Sequence, residues 1–266
     1  MVLLVLLVLL VLLIAVFCAS QWDRIGWTMH AWKATALRKP VPHILHQTWK
    51  TSDLTPKQRQ LRQSWQQHYP EWEHVLWTDN MIEAYVRDKW SWYLPVWRQL
   101  TPFIKKVDTV RYMWMYDIGG VYADLDMKCL APLRVTKGAY IPVGLRSVGW
   151  THDQDEASPA FLASDPGNPV WLHVLRYIAL NGNRTVLKAT GPVALANVLL
   201  GLKDKSNLDI TLLSETAMGI GRFKFLGRYV YHENHNTWTD GSTAEGAWIQ
   251  QPQVLARLEG LMGESR

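Results

Sequence analysis

Cysteine is almost missing from this chain. Only Cys18 and Cys129 occur in 266 residues. No internal disulfide framework is implied, and the redox compartment stays open. Also missing are a Walker loop, a Gly-X-Gly-X-X-Gly turn, a zinc-spaced Cys/His set and a Gly-X-Ser-X-Gly elbow. Their absence removes the usual motif signals for P-loop, dinucleotide, zinc and serine-nucleophile sites. There is no internal repeat. Charged residues make up 19% and hydrophobic ones 48%, a globular balance. The net charge of +5 leans towards anionic partners such as phosphates or acidic lipid headgroups. Tryptophan is abundant, with 15 residues spread from Trp22 to Trp248. That spread forms no compact stacking platform, so no nucleic-acid partner is expected.

The first segment is an uncharged apolar run from Val2 to Ala19, close to the lower limit of the about 20 residues that span a bilayer. No Lys or Arg precedes it, so a retained single-pass anchor over 1–19 is preferred to a cleaved signal peptide. Residues 20–40 read as a juxtamembrane stem, with Trp22, Trp27 and Trp32 beside basic residues. The basic residues all follow the run, which by the positive-inside rule places the body in the cytoplasm. The globular domain spans 41–266.

Within it, strands and helices alternate. His43–Trp49 and His74–Trp77 read as strands. Thr55-Pro56 and Thr78-Asp79-Asn80 open helices. Thr101-Pro102 is expected to cap a helix that runs to Ile118 and stops at Gly119-Gly120. Its apolar stripe is Phe103, Val107, Val110, Trp114 and Ile118. A strand is expected over Tyr140–Leu145, a polar loop over 146–160, and helices over Pro169–Leu180 and from Thr190-Gly191-Pro192 to Leu200. A last strand at Tyr229–Tyr231 delivers His232 to Trp238. The alternation predicts an α/β fold with a mostly parallel central sheet.

Residues 119–126 carry the chemistry: Gly-Gly-Val-Tyr-Ala-Asp-Leu-Asp. Two carboxylates at a strand end, Asp124 and Asp126, repel each other and are costly to desolvate. Hard Mg²⁺ or Mn²⁺ removes that penalty. Asp108 and Arg111 stand at i and i+3 on the preceding helix and are neighbours there. Their charged face is expected beside the metal.

Several motifs occur in order: Ile44-Leu45-His46-Gln47-Thr48-Trp49-Lys50, Leu76-Trp77-Thr78-Asp79, Asp108-X-X-Arg111-Tyr112, Gly119-Gly120-Val121-Tyr122-X-Asp124-X-Asp126 and Thr190-Gly191-Pro192. This set resembles glycosyltransferases with a sugar-binding region containing the DXD motif, a family that includes initiating α-1,6-mannosyltransferases, inositol phosphoceramide mannosyltransferases and α-1,4-galactosyltransferases. The inositol phosphoceramide branch is the nearest in pattern. The resemblance covers about residues 41–240. It implies a single GT-A-like domain, a nucleotide-sugar donor (GDP-mannose ahead of a UDP-hexose), and a membrane lipid or glycan acceptor. It also implies a Golgi or secretory-pathway membrane with a luminal body, against the charge rule above.

On matching positions, Asp126 would bind the Mn²⁺ or Mg²⁺ that bridges the donor diphosphate. Asp124 would contact ribose or sugar, and Asp108 and Arg111 would hold sugar hydroxyls. Trp49 and the strand around His46 would border the base, with Asp79 and Tyr122 in the donor site. The family's usual ending, His-His-X-X-Gly-Ser-Trp, is here His232-Glu233-Asn234-His235-Asn236-Thr237-Trp238. That leaves the third metal ligand between His232 and His235. The resemblance also implies retention at the transferred sugar. Two other classes stand beside this one, an Asp-X-Asp phosphohydrolase and a non-catalytic binding subunit.

Overall fold

A capping box starts the first helix. The Thr55 hydroxyl accepts from the Gln58 backbone N–H while the Gln58 side chain accepts from the Thr55 N–H. That helix, α1 (Pro56–His68), joins the parallel strands β1 (Ile44–Thr48) and β2 (Glu73–Trp77). The computed structural model describes residues 39–144, 157–202, 208–218, 227–233 and 247–264. The expected anchor, nearly all of the stem, most of the 146–160 loop and His235 therefore lie outside the described residues. Among the described residues, no helix is long and apolar enough to cross a membrane.

The chain continues through α2 (Asp79–Lys89), a 3-10 turn, α3 (Leu94–Trp97) and α4 (Phe103–Asp117). It then forms β3 (Gly120–Ala123), β4 (Met127–Cys129), β5 (Ala139–Val143) and β6 (Phe161–Ser164). Three helices follow: α5 (Val170–Asn181), α6 (Val186–Ala189) and α7 (Pro192–Gly201). β7 (Ile210–Ser214), α8 (Glu215–Met218), β8 (Val230–His232) and α9 (Pro252–Glu264) complete the described elements.

Six strands lie in the order β2-β1-β3-β6-β5-β7, and β4 with β8 makes a separate antiparallel ribbon. Only β6 runs against its neighbours in the main sheet. The mixed α/β class and the mostly parallel sheet follow the sequence expectation. From β1 the chain goes outward to β2, then returns across β1 to β3. That reversal opens a crevice at the C-terminal ends of β1 and β3, where open α/β sheets hold their ligands.

Alternating side chains feed a core on each face of the sheet. Leu45, Val121, Ala123 and Phe161 pack with Trp65 of α1 on one face. Tyr122 and Leu162 pack with α4, α5 and α7 on the other.

Two expectations for α4 change. Pro102, not Thr101, occupies the N-cap position, and no side chain caps the helix. The expected stripe is too narrow. Lys105 and every residue from Asp108 to Met115 are buried, because α4 lies between the sheet and the other helices. The helix stops as expected. Gly119 takes φ +74° and its N–H closes onto Trp114 O. Gly120 follows at φ +97°, where a Cβ would lie 2.6 Å from Ile44 O. Only glycine lets β3 lie this close to β1. Strands β6 and β7 have no sequence expectation, since neither short run shows clear alternation.

Candidate active site

The turn after β3 places the two carboxylates. Asp124 N–H donates to Ala160 O, and its own carbonyl accepts from Met127 N–H. Side chains alternate only within a strand, and Asp124 and Asp126 lie just past the end of β3. The turn, not the strand, brings them together.

Arg111 crosses from α4 to meet them. It is 5% exposed, so its pair with Asp108 is no surface ion pair. One terminal nitrogen, Nη2, lies 3.1 Å from Asp124 Oδ1. The other lies 3.4 Å from Asp108 Oδ1 and donates to Pro159 O at 3.3 Å. The guanidinium sits 4.7 Å from the Tyr122 ring centroid, and the Tyr122 hydroxyl donates to Asp124 Oδ1 at 2.5 Å. Asp124 Oδ1 is therefore used twice by the protein, while Oδ2 has no protein hydrogen bond among the described residues. Arg111 Nε is buried and also has no hydrogen-bond partner.

Burial pushes Asp108 up to about 6, against the pull of Arg111 and Thr190. Burial also raises Asp124, again opposed by Arg111. For Arg111 burial acts in the opposite direction, but Asp124, Tyr122 and Asp108 outweigh it and hold the guanidinium charged.

Thr190 has no assigned role in the sequence reading, and the structure gives it one. Its hydroxyl donates to Asp108 Oδ2 at 2.8 Å, and the Tyr112 hydroxyl donates to Thr190 O at 2.7 Å. Asp108 is thus held by Thr190 at one oxygen and by Arg111 at the other. The Thr190-Gly191-Pro192 motif was the available signal. Gly191 serves packing against α6, since a Cβ there would lie 3.2 Å from Val186 O.

The ribbon brings in His232. Met127 pairs with His232 in register, and Glu233 N–H donates to Asp126 O. His232 Nε2 lies 3.1 Å from Asp126 Oδ1. Burial alone would lower the His232 pKa, but the hydrogen bond and charge of Asp126 raise it. One ligand atom from each of Asp124, Asp126 and His232 lies within 4.8 Å of the others. Two carboxylates and one imidazole are a donor set that suits Mn²⁺, and less strictly Mg²⁺. The residues fit the expected metal.

The remaining expected residues divide. Trp49 follows β1 and Asp79 opens α2 just after β2, so both stand at the C-terminal edge of the sheet. Burial raises the Asp79 carboxyl, with Lys50 opposing. The His46 ring is buried, with both nitrogens engaged by the protein. Its Nε2 faces Gly119 O at 2.9 Å, and its Nδ1 accepts from Trp77 Nε1–H at 3.0 Å. The indole can only donate, so the His46 proton resides on Nε2. Burial lowers this imidazole to about 4, with the Gly119 hydrogen bond opposing.

The unfolded chain then takes up a proton between pH 6.5 and 4 that the native state refuses. The His46 contribution to stability should fall as pH falls through that window, by about 3 kcal/mol, while Asp108, raised to about 6, contributes with the opposite sign. Urea denaturation at pH 7, 5.5 and 4 measures it. A His46→Gln variant should lose this part of the slope, and an identical slope would refute the assignment.

Residues 55–142 match the family model described as a glycosyltransferase sugar-binding region containing the DXD motif. This stretch resembles a glycosyltransferase DXD region. The match includes Asp79, Asp108, Arg111, Tyr122, Asp124 and Asp126 of the site. Thr190 and His232 lie beyond it, and the fold brings them in.

The chain is similar to inositol phosphoceramide mannosyltransferase 1 of Schizosaccharomyces pombe. The two are 27% identical over 59% of this chain and 50% of the relative. Inositol phosphoceramide mannosyltransferase 3 of the same yeast is 31% identical, over 59% and 44%. Mannosyl phosphorylinositol ceramide synthase CSH1 of Saccharomyces cerevisiae is 28% identical, over 63% and 44%. The chain thus spans about half the length of these relatives, or slightly less. Among solved structures, PaToxG glycosyltransferase aligns at a TM-score of 0.47 with 18% identity, covering 68% of this chain and 76% of that one.

Proposed function

We propose that this chain is a metal-dependent, retaining hexosyltransferase of GT-A type. It would move mannose from GDP-mannose to the headgroup of a phosphoinositol sphingolipid. The observation that carries the reading is the Arg111, Asp124, Asp126 and His232 constellation at the sheet's switch point, its first three members inside the matched DXD region. The printed names of the relatives support the sugar and the acceptor class. The run Val2–Ala19 would hold the protein at a secretory-pathway membrane, with 41–266 as the catalytic domain.

Asp126 and His232 would hold the cation, with Asp124 beside them. That cation would stabilise the charge developing on the diphosphate leaving group. Arg111 adds a fixed positive charge that needs no reorganisation at the moment of reaction. Asp124 Oδ2 is left to bind a ribose or sugar hydroxyl. Trp49 and Asp79 would border the base.

The same geometry bears on retention. Asp108 has one oxygen near Arg111 and the other bonded to Thr190. It is thus a poor nucleophile. With Asp124 and Asp126 engaged as above, none of these three carboxylates is left for a glycosyl-enzyme bond. The acceptor hydroxyl would attack from the leaving-group face, its proton passing to the departing phosphate oxygen.

Purified protein with GDP-mannose, UDP-galactose or UDP-glucose, an inositol phosphoceramide extract, and Mn²⁺ or EDTA tests the reading. Mannosylated lipid from GDP-mannose only with Mn²⁺ is expected. Equal turnover in EDTA, or no donor consumed, would overturn it.

A further inference from the structure

A second cavity lies beside the transfer site. It has a volume of about 250 Å³ and is lined by Lys57, Gln60, Lys128, Tyr231 and Glu233, with Leu61 and Leu130 as its apolar wall. It lies between the first turns of α1 and the β4–β8 ribbon. Lys128 and Tyr231 face each other across the ribbon. Glu233 directly follows His232, and Lys128 comes two residues after Asp126. In extended chain those steps span at most about 7 Å, so the cavity's rim adjoins the proposed metal site.

The charges in this cavity do not cancel. Lys57 Nζ pairs with Glu233 Oε1 at 2.7 Å. Lys128 has no ion-pair partner among the described residues, which leaves one positive charge. The Gln60 amide and the Tyr231 hydroxyl likewise make no hydrogen bond to protein among the described residues. Lys128 and Tyr231, on the ribbon face opposite Met127 and His232, and Gln60 of α1 thus bring three donors without a protein partner to one small cavity on the ribbon that carries His232. One uncompensated ammonium with neutral donors around it matches a singly charged phosphodiester, which lysine binds as a point charge.

We propose that this cavity is the subsite for the phosphodiester of the acceptor headgroup, with Lys128 as its main contact and Gln60 and Tyr231 completing the hydrogen bonds. This rests on the phosphoinositol-acceptor reading above. Here the phosphate positions the inositol hydroxyls at the transfer centre, and an acceptor without it loses its register.

Calorimetric titration of the full chain with glycerophosphoinositol, myo-inositol and inorganic phosphate tests the subsite without any turnover. Glycerophosphoinositol should bind at least tenfold more tightly than either other probe. Lys128→Ala should weaken it at least tenfold, and Tyr231→Phe severalfold. Lys89→Ala, a charge removed at the end of α2, should leave the affinity alone. In the transfer assay Lys128→Ala should raise KM for the lipid acceptor at least tenfold, with little change in KM for the nucleotide sugar. Unchanged binding and acceptor KM in Lys128→Ala would overturn the subsite while wild-type transfer kept the function. Equal affinity for inorganic phosphate would also overturn it, as a general anion site. Absent transfer by the wild type would instead sink the functional reading.

Discussion

Methionine in place of Arg111 should destabilise the protein by about 3–5 kcal/mol and abolish transfer. The side chain is buried between two carboxylates, 3.1 Å from Asp124 and 3.4 Å from Asp108. Removing Arg111 leaves Asp108 buried and Asp124 partly buried without compensation, the costly case for internal ion pairs. Methionine fills much of the volume, so the loss is electrostatic rather than a cavity effect.

The pH dependence should carry a sign of its own. Without Arg111, both carboxyls shift further upward in the folded state, which then binds protons more readily than the unfolded chain. The variant should therefore regain stability as pH falls from 7 towards 5, the reverse of the His46 contribution. Adding Asp108→Asn and Asp124→Asn should restore much of the stability but no activity. Arg111→Lys should fold and still lose most transfer, because one ammonium cannot reach both carboxylates with fixed geometry. Urea denaturation across pH, with activity measured on folded samples, decides the matter. A loss under 1 kcal/mol in Arg111→Met would refute the coupled role.

How far the sequence reaches depends on whether the information is local. The Asp-X-Asp turn, the Gly119-Gly120 stop and the Thr55 and Thr78 caps are signalled by residues within a few positions of each other, and the structure has them. Thr190 meets Asp108 across 82 positions of sequence, and His232 meets Asp126 across 106. Such pairings are made by the fold, and only motif order hinted at them. His46 marks the opposite limit. Its place in a strand was legible, but Trp77 and Gly119, which occupy both ring nitrogens, come from other elements. In sequence, helix α4 shows a stripe of apolar residues with Asp108 and Arg111 on a charged face. Those two charges compensate each other inside the core, so polarity there did not mean exposure.

Alanine at position 126 should separate binding chemistry from stability. The Asp126 side chain is about one-fifth exposed, and His232 is one of its partners. The backbone carbonyl that receives Glu233 N–H remains in the variant. Repulsion with Asp124 is also relieved. Stability should therefore change by no more than about 1 kcal/mol. Transfer should fall by at least about 10³-fold, because the leaving group loses its charge stabilisation.

Mn²⁺ gives a readout free of turnover. A ligand at 100 times its Kd stabilises the native state by about 2.7 kcal/mol, so Mn²⁺ should raise the melting temperature of the wild type. That rise should vanish in Asp126→Ala and shrink in His232→Ala. Asp124→Asn should behave differently. It removes the charge that orders Arg111 and so should weaken nucleotide-sugar binding more than it reduces the Mn²⁺ shift. Two carboxylates two residues apart would then hold different parts of the same ligand. An Asp126→Ala protein that keeps both its Mn²⁺ shift and its activity would leave the metal assignment without support, whatever Asp124 does.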